Sequence, residues 1–194
     1  MRNKAELSVI DGRRKRSERS RAAIITATLS LIDSGNFAPT ARQIAEEAGI
    51  GLRSFFRHFE DMDALLDTID KHTRTFYEPL FDRPVHDGPA HERVEDIVIS
   101  LSDAYENLKK MWMTTQAQIW RSDSLKKNYA RNQQKLRAYL ETWLPELKGL
   151  PDAQREAAHA VASFETWQRL RQYQNLSIGD ARDAIIATLS RLLD

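Results

Sequence analysis

The chain contains no cysteine, which excludes disulfides, thiolate metal sites and cysteine nucleophiles together. Glycine and proline are scarce, 7 and 6 among 194 residues. A β-sandwich needs a turn roughly every 8–12 residues, so this supply is too small for one. Long apolar runs are also missing. The first twenty residues lack the apolar segment of a secretory leader. The most apolar stretch, residues 22–32, is interrupted by Thr26, Thr28 and Ser30 and is about half the length of a membrane span. A soluble, cytoplasmic protein with no membrane partner is expected. A hydrophobic content of 41% is enough to build a core.

Net charge is only +1, from 29 basic and 28 acidic side chains, but its distribution is uneven. Residues 1–60 carry 11 basic and 7 acidic groups, and residues 61–194 carry 18 and 21. Within residues 1–21 the count is 8 against 3. A basic end on a mildly acidic body points to a polyanionic partner, or else to a solvated, disordered arm.

Helical spacing dominates the rest. Ile24, Ala27 and Leu31, with Ile25, Leu29 and Ile32 beside them, make one apolar stripe on a helix over residues 20–34. Gly35 suits a left-handed C-cap. Thr40 and Gln43 have capping-box spacing and open a second short helix over 41–47. Gly49 breaks it, and a third helix is predicted over 51–57. Asp61 caps a fourth, with Leu65, Leu66, Ile69 and His72 facing inward. A loop follows near 82–90. A helix is predicted over 91–108, with a separate aromatic segment over 111–120. Ser122 or Asp123 caps the next, which runs towards Leu144. Another runs from Pro151, placed for N1, to about Tyr173. Ser177 and Asp180 repeat the capping-box spacing ahead of a final helix carrying Ile178, Ile185, Leu189 and Leu192.

The stretch over 40–59, TARQIAEEAGIGLRSFFRHF, has the spacing of a helix-turn-helix. Ile44 and Ala48 are apolar on the first helix, Ala45 is small at the crossing, and Gly49 occupies the turn. Ile50 and Phe55 anchor the second helix. Such a unit presents the leading end of its second helix to the DNA major groove, although similar helix pairs also occur in proteins that bind nothing.

Residues 19–66 resemble the N-terminal domain of the TetR family of bacterial transcriptional regulators. The elements that carry the likeness are Gly35, Thr40, Ile44 and Ala45, Ala48 to Ile50, Ser54 to Phe59, and Leu65 with Leu66. The stretch over 164–171 with Leu176 and Ser177 is similar to the C-terminal half of some members. The resemblance implies an all-α homodimer of about nine helices, with a three-helix helix-turn-helix domain followed by a helical bundle. It divides the chain into a basic arm (1–18), a DNA-binding domain (19–60) and a ligand-binding and dimerisation domain (61–194).

Carried over position by position, the resemblance implies that Thr40 and Arg42 touch the DNA backbone or a base edge. Gly51, Leu52, Arg53 and Ser54 form the leading end of the recognition helix. Arg53 is the best base reader, since a guanidinium forks onto guanine O6 and N7; Leu52 can contact only a thymine methyl. Arg57 and His58 are expected beside phosphate, with a packed aromatic as the other reading of His58. Three positions depart from the family pattern. Phe56 replaces a tyrosine whose hydroxyl bonds phosphate, Met62 replaces a lysine, and Gly51 replaces a serine cap. Phosphate contacts are then expected to shift towards Arg13, Arg14, Lys15, Arg16, Arg19 and Arg21.

In the C-terminal half, Tyr105, Met111, Trp112, Met113, Trp120 and Tyr129 cluster in sequence beside Gln116 and Arg121. Aromatic walls with a few polar groups build small-molecule pockets, and the same residues also build plain bundle cores. The candidate ligand residues are Tyr105, Trp112, Gln116, Trp120, Tyr129, Phe164 and Trp167, with His159 a further contributor. Ala153, Ala157, Ala160, Val161 and Phe164, with Ile185, Leu189 and Leu192, would form a four-helix dimer interface, or else be buried within the monomer.

No H-E-x-x-H, P-loop, Rossmann glycine pattern or G-x-S-x-G occurs. The five histidines show no metal spacing. Neither an enzyme nor a cofactor is expected. The sequence therefore reads as a DNA-binding regulator, a repressor released from a palindromic operator by a small, largely hydrophobic ligand. The alternative is a regulator with no small-molecule effector, governed by a protein partner or acting architecturally. Ligand-induced quenching of tryptophan fluorescence separates the two.

Overall fold

The computed structural model describes residues 4–81, 84 and 87–194, with side chains from Arg14 onward. Among them the regular structure is helical: α1 (Lys4–Asp33), α2 (Ala41–Glu47), α3 (Leu52–His58), α4 (Met62–Tyr77), α5 (Ala90–Gln118), α6 (Asp123–Trp143), α7 (Asp152–Val161), α8 (Phe164–Gln168) and α9 (Ile178–Leu193). Short 3₁₀ turns follow α4, α5 and α6, and a π turn, Arg169–Tyr173, continues α8. No helix among the described residues is long and apolar enough to cross a membrane.

The expected helix boundaries change at several places. The helix predicted from residue 20 begins at Lys4, so the described part of the basic arm is helical; residues 1–3 and the side chain of Arg13 lie outside the described residues. The helix predicted over 91–108 continues without a break through most of the 111–120 segment, because no glycine or proline interrupts it; it ends at Gln118, and Ile119 and Trp120 lie in the 3₁₀ turn that follows. The helix expected to run to Tyr173 instead breaks after Val161. Ser163 there caps α8, accepting from Thr166 N at 3.3 Å. Pro151 is the N-cap of α7, one residue before the expected N1. The second capping box is half formed: Ser177 accepts from Asp180 N at 3.1 Å, but the carboxylate takes the serine hydroxyl at 2.6 Å rather than a backbone N–H. His72 is exposed, not inward-facing, while Leu65, Leu66 and Ile69 are buried as expected. Of the loop expected over 82–90, residues 82, 83, 85 and 86 lie outside the described residues.

The chain divides into two compact units, Met1–His72 with Lys110–Asn128, and Thr73–Lys109 with Tyr129–Asp194. Compactness thus groups two separate stretches in each unit, whereas the role-based division at residue 60 is a single cut.

In the first unit, Ile24, Ala27, Ile44, Ala45, Phe55, Phe59, Leu65 and Ile69 form one core cluster. Two glycine-closed helix ends set its geometry. After α1, Asn36 N reaches Leu31 O at 2.9 Å and Gly35 N reaches Ile32 O at 3.0 Å. After α2, Ile50 N reaches Ala45 O at 2.9 Å and Gly49 N reaches Glu46 O at 3.1 Å. Both are Schellman closures, which need a left-handed residue, and Gly35 (φ +96°) and Gly49 (φ +66°) supply it. The Thr40–Gln43 capping box is complete: Gln43 N donates to Thr40 Oγ1 at 3.3 Å and Thr40 N to Gln43 Oε1 at 2.9 Å. Thr40→Ala should cost about 0.5–2 kcal/mol, read as a lowered denaturation midpoint with unchanged slope.

The end of α5 belongs to this unit. Lys110 Nζ bonds both the carboxylate and the carbonyl of Asp33 at 2.6 Å, a cation placed at the C-terminus of α1. Gln118 is fully buried, donates to Phe37 O at 2.9 Å and accepts from Arg121 at 2.8 Å. Ser122 caps α6, accepting from Leu125 N at 3.0 Å.

The second unit buries Val94, Ile97, Leu101, Tyr105, Leu140, Leu144, Phe164, Trp167, Ile185 and Leu189. Tyr105 packs edge-on against Phe164, with ring centroids 5.6 Å apart, and its hydroxyl donates to Ala162 O at 2.7 Å. Arg93 ties several ends together. Its guanidinium donates to Gly88 O at 3.0 Å, to Trp143 O at 2.6 Å and to both Glu146 oxygens.

Candidate nucleic-acid interface and cavity

Helix α3 begins without a side-chain cap. Gly51 leads it in extended backbone, and its carbonyl accepts from Ser54 N at 2.8 Å. Phe55 has no exposed surface and holds the helix on the core, with Phe59 6.0 Å away centroid to centroid. The opposite surface is therefore committed to solvent. It carries Gly51, Leu52, Arg53, Phe56 and Arg57, all exposed. Ser54 is half-buried and accepts from Arg57 at 2.9 Å, which holds that guanidinium along the helix. Thr40 and Arg42 are exposed at the start of α2, although the Thr40 hydroxyl already serves the cap.

The arm arginines divide. Arg16 and Arg19 are exposed on α1, as is Arg14, which pairs with Glu18 at 3.0 Å. Arg21 is engaged within the unit: it donates to Thr68 at 3.1 Å and lies 4.8 Å from the Phe59 ring centroid. His58 is half-buried, and its Nε2 atom has no solvent exposure and no hydrogen-bond partner. That environment matches the packed-aromatic reading better than a phosphate contact. Burial first, then Arg57 and Arg21, hold its pKa below the usual 6.5.

The aromatic residues expected to wall one pocket are divided between the two compact units. Trp112, Gln116 and Trp120 belong to the first unit, and Tyr105, Tyr129, Phe164 and Trp167 to the second. Trp120 is 73% exposed and donates back to Ala117 O at 3.2 Å. Phe164 and Trp167 are core residues, and the Trp167 indole donates to Glu106 at 2.9 Å. The Tyr129 hydroxyl donates to Glu165 at 2.6 Å.

A cavity of about 280 Å³ does open in the second unit, between α5, α6 and α7. Leu101, Tyr105, Leu136 and Leu140 supply apolar wall; Gln133, Arg137, Glu156, His159 and Ser163 supply polar groups. Among the seven candidate ligand residues, Tyr105 lines it, as does His159. Arg137 and Glu156 were not legible as site residues, because each reads as an ordinary charge on a polar helix face. Here they pair through two bonds of 2.7 and 2.5 Å, and this pairing holds the Glu156 carboxyl down to about 2. His159 meets Glu141 at 3.0 Å; burial and Arg137 keep its pKa low against the pull of that carboxylate.

Two of the chain's histidines, His58 and His159, are thus held below 6.5 in the folded state. A depressed pKa means the fold prefers the neutral ring, so its stability contribution is complete above about pH 6.5 and is lost as pH falls through the folded values. The melting temperature should be flat above that point and fall on acidification towards pH 5, less steeply in His58→Gln and His159→Gln.

The expected interface residues also divide. Phe164, Ile185 and Leu189 are 1%, 5% and 0% exposed. They are buried within the protomer, which corrects their assignment to a dimer face: α7 and α9 pack on each other inside one chain. Ala157, Val161 and Leu192 are half-buried.

Residues 24–69 match the model of the family described as bacterial regulatory proteins, tetR family. No curated protein matches the chain in sequence. Among solved structures, the fold is similar to that of a protein from Rhodococcus sp. classed as a TetR-family transcriptional regulator, at 15% identity and TM-score 0.64, covering 91% of this chain and 100% of that one. A transcriptional regulator of Streptomyces coelicolor A3(2) aligns at 21% identity and TM-score 0.59, over 90% and 98% of the two chains. The multidrug binding protein EbrR, complexed with imidazole, aligns at 16% identity and TM-score 0.59, over 90% and 94%.

Proposed function

We propose, for a chain whose N-terminal domain belongs to the tetR family of bacterial regulatory proteins and whose fold is that of the family, a repressor that binds a palindromic operator as a homodimer and leaves it when a small ligand binds. The observation that carries this reading is α3: its inner side is locked by Phe55, and its outer side presents Arg53 and Arg57. One seven-residue helix reads only a few base pairs. A second copy, about 34 Å away along the duplex, supplies the other half-site. On this reading the second copy docks on the α7 and α9 surface that carries the half-buried Ala157, Val161 and Leu192.

The cavity in the second unit supports an effector site. Its volume is near the lower end of small-molecule pockets, roughly 300–1,000 Å³. The ligand it suits is small, with an apolar body against Leu101, Leu136 and Leu140 and a polar end towards Arg137 and His159. EbrR, similar in fold, is named a multidrug binding protein, which supports a small-molecule effector without identifying it.

A mobility-shift titration on the DNA upstream of the chain's own gene tests the reading, with sedimentation to give the mass of the bound species. Two protomers per duplex and release by amphipathic compounds are the expected outcome. Binding by a monomer, or no binding to any palindrome across a range of salt, would overturn it. Binding that no compound reverses would favour the effector-free regulator.

A further inference from the structure

The exposed side of α3 holds two large apolar side chains beside its arginines. Leu52 is 38% exposed and Phe56 is 48% exposed. Four residues apart on one helix, they share a face. Their direction is fixed from beneath: Phe55 is fully buried, and the Phe56 ring stands edge-on to it with centroids 5.2 Å apart. Exposed leucine and phenylalanine at this spacing contribute little to the core, and water is an unfavourable neighbour for both. The surrounding charge identifies what covers them. Arg53 and Arg57 flank the pair, Arg42 lies at the start of the neighbouring helix, and all three are exposed. That surface fits a polyanion.

On the major-groove edge of a duplex, the apolar group that distinguishes one base pair from another is the thymine 5-methyl. The geometry points to Leu52 and Phe56 as a paired reader of thymine methyls, so that the operator half-site carries two thymines beside the guanine read by Arg53. Four residues advance about 6 Å along an α-helix, and successive base pairs are about 3.4 Å apart. The two methyls therefore lie about two base pairs apart. The inference rests on the DNA-binding reading and adds the base chemistry that reading leaves open. It also gives Phe56 a role that needs no hydroxyl.

The test begins with selection of bound duplexes from a random-sequence pool by the full chain. Each thymine of the selected half-site is then replaced by uracil, which removes the methyl and keeps the pairing edge. Two thymines about two base pairs apart should each lose about fourfold in affinity on replacement, the worth of one buried methyl. In Phe56→Ala and Leu52→Ala, the uracil penalty should vanish at one position each and persist at the other. Phe56→Tyr, which keeps the ring, should keep it. Selected sites without such thymines, or uracil duplexes that bind equally, overturn the inference while leaving DNA binding intact. So does an equal loss for thymine and uracil duplexes in Phe56→Ala, which would place the ring on sugar and phosphate. A pool in which no duplex is retained even at low salt removes the DNA-binding reading and this one with it.

Discussion

Phe55→Ala should lower stability by about 3–5 kcal/mol, the range for truncating a buried phenylalanine. The native chain offers nothing to absorb the loss. Phe55 has no exposed surface and shares its cluster with Ile24 of α1, Ile44 and Ala45 of α2, Leu65 of α4 and Phe59 at the end of its own helix. Against a typical total of about 5–15 kcal/mol, this can leave the first unit unfolded at physiological temperature. DNA binding should go with it. The neighbouring Phe56→Ala provides the contrast, because a side chain 48% exposed takes little packing with it. Urea denaturation of the two variants should show a midpoint far below native for the first and close to native for the second. Similar midpoints would mean that α3 is not anchored through Phe55.

The second large effect is on recognition. Arg53→Ala should weaken binding to the selected operator by about 1–3 kcal/mol, or about five- to 150-fold, while binding to unrelated DNA changes little. Arg53 is exposed, so stability should be unaffected. Deletion of residues 1–16 should do the reverse. It removes six basic side chains, so binding should weaken for every sequence, and its salt dependence should flatten by about 0.9 for each phosphate the arm had neutralised. Titrations at several salt concentrations on operator and unrelated duplexes separate the two. An unchanged salt slope in the deletion would refute a phosphate role for the arm. Arg21, engaged by Thr68 and Phe59, should affect stability more than salt dependence when replaced.

Features written in adjacent residues were legible before any coordinates. Gly35 and Gly49 meet a local conformational demand, and Thr40 with Gln43 a local hydrogen-bonding one, so spacing alone locates α2 and the turns around it. Arg21 shows where that reasoning stops. Its charge is visible in the sequence, but its partner Thr68 is 47 residues away, and only the fold of the unit brings the two together. Phe164, Ile185 and Leu189 show the same limit for apolar faces: periodicity reveals that a face seeks cover, not whether its own chain or another supplies it. The aromatic segment over 111–120 misled for a different reason. Composition changes there, but backbone chemistry does not until the segment's end, so α5 runs on unbroken to Gln118. Of the cavity, Tyr105 and His159 stood out by residue type, whereas Arg137 and Glu156 acquire meaning only from facing each other across α6 and α7.

The arginine at position 93 carries a consequence for how such chains can drift. Its planar head serves two carbonyls and a carboxylate at once, which the single ammonium of a lysine cannot match in geometry. The Glu146 carboxyl is in turn held below its usual pKa, chiefly by that guanidinium. Positions 93 and 146 should therefore co-vary among relatives, lost or retained as a couple, even as the rest of the second unit diverges around them.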